Sequence, residues 1–136
     1  MRTRQDRNTR RTQSGQEMVE LAILLPLLLL FVFGVLDLGR VFHAAITITN
    51  AAREGARYGM IYPDDIPAIV TATLREAENS GIDMSSSTVN VNCEFGCGRG
   101  TALEVTVQYD FTFIMAGFVF PDSTLTIIRS AEMIVP

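Results

Sequence analysis

The two cysteines, Cys93 and Cys97, are the side chains of this sequence with the widest chemical scope, and three residues separate them. Such a pair can form a disulfide, help to bind zinc, or cycle as a redox couple. Zinc is disfavoured, because a structural site needs four protein ligands and the sequence adds only one histidine, His43. A redox couple is disfavoured, because the spacing is C-x3-C rather than C-x2-C and no thioredoxin-like βαβ pattern surrounds it. We therefore expect no metal, and the compartment decides between a disulfide and free thiols.

The remaining polar groups do not form a catalytic or ligand-binding pattern. His43 lies beside an apolar helical stripe without a nucleophile nearby, which predicts a packing or interfacial residue. Asp64 and Asp65 precede a helical pattern and predict a cap rather than paired carboxylates. Residues 98–100, Gly-Arg-Gly, predict a turn rather than a phosphate-binding loop. We expect no enzymatic activity, no cofactor and no small-molecule substrate.

Residues 18–36, MVELAILLPLLLLFVFGVL, form an apolar segment with one charge, Glu20. A helix of this length covers about 28 Å, close to the roughly 30 Å hydrocarbon thickness of a bilayer. The surface helix of a soluble protein has one apolar stripe only, and this chain is too short to surround a helix that is apolar on every side. The segment therefore predicts a membrane span. Pro26 predicts a kink or loosened turn, which membrane helices tolerate.

Charge on the two sides of the apolar segment predicts its orientation. Residues 1–17 carry five arginines and two acidic residues, whereas residues 37–136 carry six arginines and twelve acidic residues. This bias places the N-terminus in the cytoplasm and exports the rest, and it favours a topology signal over a nucleic-acid tail. Residues 1–14 lack apolar periodicity and are predicted to be disordered or frayed. In an exported domain, Cys93 and Cys97 favour a structural disulfide that fixes a turn, with free thiols as the alternative.

The helical pattern continues beyond the apolar segment. Apolar or small residues recur at spacings of three and four, namely Leu38, Val41, Phe42, Ala45, Ile48, Ala52, Gly55 and Gly59. Ala51, Gly55 and Gly59, four residues apart, provide a flat surface for another backbone. We therefore predict one helix over residues 16–59, about 65 Å long. The part that follows residue 36, called the spine below, should carry the exported domain.

The C-terminal half predicts one helix and a small sheet. A second amphipathic helix is expected over residues 65–79, and period-two alternation predicts strands near residues 89–93, 103–109 and 125–135. The predicted fold is α+β: a single-pass membrane protein with a long N-terminal helix, a second helix and an antiparallel sheet, residues 60–136 forming the exported domain on the spine. Residues 111–121, FTFIMAGFVFP, are favoured as core, and contact with the membrane surface or a neighbouring subunit stays open.

Three stretches together resemble the TadE-like family of tight-adherence pilus systems. They are S-G-Q-E-M-V-E-L at residues 14–21, D-L-G-R at residues 37–40 and N-A-A-R-E-G-A-R at residues 50–57. The resemblance covers residues 14–59, and the β-rich remainder is consistent with it. It implies a minor pilin or pseudopilin in assembly of a type IV-like pilus. The implied partners are the membrane, a prepilin peptidase, other pilins or pseudopilins and the pilus assembly platform.

The resemblance also implies processing and an assembly role. In pilin-like proteins the peptidase cuts after a glycine at the cytoplasmic face, and the fifth mature residue is a glutamate. Cleavage between Gly15 and Gln16 would remove the leader, residues 1–15, and make Glu20 that glutamate, although Glu17 adds a charge that many relatives lack. Glu20 would pair with the amino terminus of a neighbouring subunit, and Pro26 belongs to the same assembly segment. The alternative is that Glu20 snorkels to the headgroups without a role.

Two other functions remain open at this point. One is an uncleaved single-pass envelope scaffold or sensor with no pilus role. The other is a membrane-tethered thiol oxidoreductase, which would require the two cysteines to cycle. The favoured prediction is a protein of the cytoplasmic membrane whose C-terminal domain is periplasmic or extracellular. Whether it enters the pilus as a subunit or acts as an assembly factor stays open.

Overall fold

The computed structural model describes residues 6–93, 96–114 and 123–136, with side chains from residue 15 onward. Helix α1 spans Asp6–Ile61 and helix α2 spans Ile66–Asn79. Strands β1, β2 and β3 span Ser87–Cys93, Ala102–Thr112 and Thr124–Ile134. The strands form one antiparallel sheet in the order β1-β2-β3. The predicted α+β fold with a long N-terminal helix, a second helix and a small antiparallel sheet is confirmed.

Helix α1 is 56 residues long and begins at Asp6, earlier than the predicted start at residue 16. The expectation of a disordered leader was therefore wrong from Asp6 onward. Neither proline nor glycine interrupts residues 6–14, which include good helix formers such as Arg and Gln, so an established helix gains one hydrogen bond for each residue added. The helix continues through Pro26 and ends at Ile61, just before the Tyr62-Pro63 step that disfavours helical backbone.

The two halves of α1 have different surroundings. Every residue from 15 to 36 is exposed, and this stretch makes α1 long and apolar enough to cross a membrane. Along the spine, a buried face appears that consists mainly of small residues: Ala44, Thr47, Ile48, Ala51, Ala52, Gly55, Ala56 and Gly59. Leu38 and Phe42, predicted on this face, are instead 56% and 61% exposed. The sheet and α2 approach mainly where side chains are small, and Leu38 and Phe42 point away from them.

Helix α2 packs antiparallel to the spine between two well-defined ends. The Asp65 carboxylate caps its start by accepting a hydrogen bond of 3.1 Å from the Ala68 N–H. At the other end, Gly81 adopts φ +82°, and the Ile82 N–H donates to the Ala77 carbonyl at 3.2 Å. This is a Schellman motif, which reverses the chain immediately after the helix. Ile82 is buried in the core, so the turn is anchored on both sides.

The sheet covers the spine, and the contacts of β2 show in which direction this strand runs along α1. The inward residues of β2, Leu103, Val105 and Val107, are fully buried. Leu103 lies beside Gly59, Val105 lies beside Gly55, and Phe111 lies under the Arg40 guanidinium. Strand β2 therefore runs down the spine toward the apolar segment. The paired residues Thr112 and Thr124, at the end of β2 and the start of β3, lie at the edge of the sheet nearest the apolar segment.

The apolar stretch at residues 111–121 falls partly within the described chain. Phe111 is buried in the core, and Phe113 packs against it edge to face with ring centroids 5.2 Å apart. Ile114, in contrast, is 57% exposed. Residues 115–121 lie outside the described residues, so the prediction for them stays a prediction.

Candidate functional site

The residues implied in processing and assembly all lie on the exposed half of α1. Gly15, Gln16, Glu20 and Pro26 are each exposed. An added Cβ at Gly15 would meet no atom within 4 Å, so no contact of the described chain requires a glycine there. None of the described side chains offers Glu20 an ion-pair partner. Within the described part of the chain, this segment is therefore left open to its surroundings.

The small residues of the spine serve packing within the chain. Ala51 is fully buried, and a Cβ at Gly55 would collide with Thr73 Oγ1 of α2. A Cβ at Gly59 would come within 2.8 Å of Leu103 Cδ1 on β2. These distances explain the small residues, because they allow α2 and the sheet to approach the spine closely. The structure places Ala51, Gly55 and Gly59 in the domain's own core.

A cluster of four residues joins the sheet to the first turn of the spine, and we call it the junction cluster: Asp37, Arg40, Phe111 and Ile114. Asp37 is only 5% exposed, and its Oδ1 accepts hydrogen bonds from Arg40 Nη1 at 3.0 Å and from the Ile114 N–H at 3.3 Å. The Arg40 Cζ lies 4.9 Å from the centroid of the Phe111 ring. The cluster therefore fixes the sheet at the point where α1 leaves the apolar segment.

Asp37 and Arg40 lie three residues apart on α1, as ordinary surface ion pairs do. Their spacing of three residues does predict the ion pair, but the burial of Asp37 depends on the backbone of Ile114, 77 positions along the chain. The only local signal was a carboxylate directly after the apolar segment, where ionised residues are costly unless they are paired.

Beside the junction cluster lies a cavity of about 430 Å³, which we call the junction cavity. Three parts of the chain line it: Val35, Leu36, Gly39, Arg40, His43 and Ala44 of α1, residues 81–83 after α2, and Tyr109 and Phe111 of β2. His43, predicted to be a packing or interfacial residue, lines this cavity. The cavity combines the last apolar residues of the span segment with groups of both charges.

Asp83 is the acidic group of the junction cavity, and local hydrogen bonding favours its ionised form. Its Oδ1 accepts from the Ser85 N–H at 2.9 Å. The hydrogen bonds from Ser85, the backbone N–H first, hold the pKa of the Asp83 carboxyl below its ordinary value. Asp83 therefore stays negatively charged at neutral pH, opposite in sign to Arg40.

The two cysteines lie at the other end of the sheet. Cys93 and Cys97 are joined by a disulfide with Cα atoms 5.2 Å apart. The bridge spans the turn that follows β1, and Cys93 pairs in register with Leu103 on β2. The turn is tied to the C-terminal residues, because the Gly100 N–H donates to the Val135 carbonyl at 2.7 Å. Among the described residues, no group of three or more potential metal ligands comes together.

Comparison with known proteins gives a match for one part of helix α1. Residues 15–57 match the family model described as TadE-like protein, which confirms the resemblance. The match covers the apolar segment and most of the spine, and it ends before α2. It indicates that this part of α1 is a TadE-like segment. No curated protein and no solved structure matches the chain.

Proposed function

We propose that this protein is a minor pilin or pseudopilin that takes part in assembling a tight-adherence, type IV-like pilus and has no catalytic activity of its own. The observation that carries the proposal is that the TadE-like match falls on a helix whose apolar half is left uncovered by the described residues. Lipid covers such a helix in the membrane, and neighbouring helices cover it in an assembly. The spine that carries the exported domain is continuous with this apolar half.

The proposed topology is a single pass through the cytoplasmic membrane with the N-terminus inside. The arginine excess before the apolar segment supports this orientation, as does the net negative charge of the residues that follow it. The sheet, α2 and the disulfide then lie in the periplasm or outside the cell. A disulfide persists in those compartments, whereas the cytosol would reduce it.

In this proposal Glu20 is an assembly residue. A carboxylate inside the hydrocarbon is tolerated among helices when it has a partner of opposite charge. Cleavage after Gly15 would create an ammonium group at Gln16, and the corresponding ammonium of a neighbouring subunit is the proposed partner. Lateral packing of the exposed segments would bring the two charges together.

The test replaces the native protein with a Glu20→Gln variant and measures its membrane level, its processing and the number of surface pili. We expect normal levels and normal processing with a loss of pili. Glu17→Gln is the matched control, because Glu17 is also exposed but precedes the apolar segment. Normal pili in the Glu20 variant at normal protein level would show that the charge has no role in assembly.

Processing is a separate test, made by measuring the intact mass of the protein from membranes. We expect a chain that begins at Gln16 when an active prepilin peptidase is present. Retention of residues 1–15 would exclude this cleavage.

One observation favours the alternative function, an uncleaved envelope scaffold or sensor. Helix α1 runs without a break from Asp6 past Gly15, so a peptidase must first unwind its N-terminal turns. Fraying at a helix end costs little, and a glycine weakens the helix by about 0.5–1 kcal/mol relative to alanine. The scaffold proposal predicts an uncut chain, together with normal pili when the gene is deleted.

A further inference from the structure

The junction cavity lies at the depth of the lipid headgroups when the apolar segment spans a bilayer. With a rise of about 1.5 Å per residue, Arg40 is about 6 Å beyond Leu36 along α1, and His43 is about 10 Å beyond it. The headgroup layer adds roughly 5–8 Å on each side of the hydrocarbon. Arg40 therefore lies within that layer. Val35 and Leu36 lie just below it, where the acyl chains join the headgroups. This placement depends on the span and not on a role in pili.

The charges of the cavity fit a zwitterion better than an anion. Arg40 and Asp83 both line it, so one cationic and one anionic group face the same space. Asp37 engages one nitrogen of the Arg40 guanidinium, and the Arg40 side chain is still 46% exposed. A guanidinium has five N–H donors, which leaves several for a phosphate. The net negative exported domain gives no general attraction for anionic lipids.

The two charged groups are held by different elements, so the fold positions both of them. The junction cluster fixes Arg40 through Asp37 and the face of Phe111. The Schellman turn at Gly81 and the buried Ile82 fix the chain at Asp83. Gly39 also lines the cavity and borders open space, since a Cβ there would meet no atom within 4 Å. The volume of about 430 Å³ lies within the range of roughly 300–1,000 Å³ usual for small-molecule sites.

We propose that the junction cavity binds the headgroup of one aminophospholipid, with the phosphate on Arg40 and the primary ammonium on Asp83. The acyl chains then continue along Val35 and Leu36 into the hydrocarbon. A choline headgroup carries the same charges but has no N–H to donate to Asp83, and a glycerol headgroup has no cation. The site therefore selects phosphatidylethanolamine over phosphatidylcholine and phosphatidylglycerol of equal chain length.

The test is native mass spectrometry of the full-length protein released from nanodiscs that contain these three lipids in equal amounts. We expect retention of one phosphatidylethanolamine per chain in preference to the other two. Asp83→Asn keeps the acceptor for the Ser85 N–H but removes the charge, so ethanolamine retention should fall about two- to five-fold, the size of one partly exposed ion pair. Retention of the other two lipids should change less, because neither headgroup donates an N–H to Asp83.

Gly39→Leu fills the cavity and should abolish retention of all three lipids. Gly34→Leu is its matched control, because Gly34 is equally open on the same helix but does not line the cavity. Equal retention of the three lipids by the wild type, or unchanged ethanolamine retention in Gly39→Leu, would overturn the proposal. Displacement of the lipid by inorganic phosphate would also overturn it, because the site would then be a phosphate site and not a lipid site.

Discussion

The two halves of helix α1 share one continuous backbone but have different surroundings. The contacts that an added Cβ would make at their glycines show the difference. At Gly15 and Gly34 an added Cβ would meet nothing within 4 Å, whereas at Gly55 and Gly59 it would collide with α2 or β2. The spine is therefore constrained by its own chain. The exposed half meets no such constraint from the described residues. A glycine costs helix stability in both halves, but only at Gly55 and Gly59 does the fold explain why it is there.

Gly55→Ala against Gly34→Ala is the sharpest test of this contrast. The new methyl group at residue 55 would collide with Thr73 Oγ1, with Val105 Cγ1 also near. We expect a loss of about 2–3 kcal/mol of stability, the range for overpacking in a closed core. Gly34→Ala should lose nothing. Thermal unfolding of the detergent-solubilised full chain, followed by circular dichroism, measures both changes.

A second substitution decides whether the loss at Gly55 is a local collision. Thr73→Ala removes Oγ1 and should recover most of the lost stability in the double variant, as a double-mutant cycle requires for contacting residues. Additive effects would place the cause elsewhere in the helix, and equal effects of Gly55→Ala and Gly34→Ala would remove the contrast between the halves.

Residues with strong local signals were the ones that the sequence could place. Asp65 and Pro67 predict the start of α2 to within one residue, and the alternation of Leu103, Val105 and Val107 predicts their burial on β2. In each case the period or the cap is a property of neighbouring residues. The predicted sheet follows from the same kind of signal.

The features that depend on distant contacts could not be predicted in this way. Leu38 and Phe42 continue the apolar period of the spine but are exposed, because apolar spacing does not distinguish a surface facing the core from one facing outward. The burial of Asp37 requires the Ile114 amide, and the junction cavity requires three separate elements. The start of α1 at Asp6 lacked a signal, because a helix that extends by propagation needs no new one.

The disulfide tests whether the exported domain is stabilised independently of the exposed half of α1. Replacing Cys93 and Cys97 together by Ser should cost about 2 kcal/mol, less than the roughly 3 kcal/mol of a 15-residue loop, because the closed loop is short. Insertion into membranes should be unchanged, since the bridge lies at the end of the sheet far from the apolar segment. Denaturation of the variant and the wild type in detergent measures the difference.

Labelling of the two cysteines tests whether the bridge is present. A thiol-reactive probe should label neither cysteine in the unreduced, folded protein. Labelling of both would mean that the bridge is absent and would favour the thiol oxidoreductase alternative.

Asp37→Asn acts at the boundary between the two halves. The substitution keeps an oxygen that can accept from the Ile114 N–H but removes the charge that pairs with Arg40. We expect a loss of about 1 kcal/mol, because charge-assisted hydrogen bonds are roughly twice as strong as neutral ones. Hydrogen exchange at the Ile114 amide should become faster in the variant. Unchanged exchange would show that the cluster does not hold the end of β2.

Glu54→Gln removes the second ion pair of α1 and should have the smallest effect. Glu54 also pairs with an arginine three residues on, since Arg57 Nε lies 2.8 Å from its Oε2, but both side chains face solvent.

The hydrogen bond from Arg57 lowers the pKa of Glu54 below its ordinary value of 4.5. The pair therefore stabilises the fold above that pH, and its contribution is lost as the pH falls through the lower pKa of the folded state. After allowance for solvent screening, we expect only a few tenths of a kcal/mol at neutral pH, reduced further by salt. Unfolding of the wild type and the variant across pH 3–7 measures this. A deficit that persists at the acidic end, or that exceeds the effect of Asp37→Asn, would mean that exposure does not separate the two pairs.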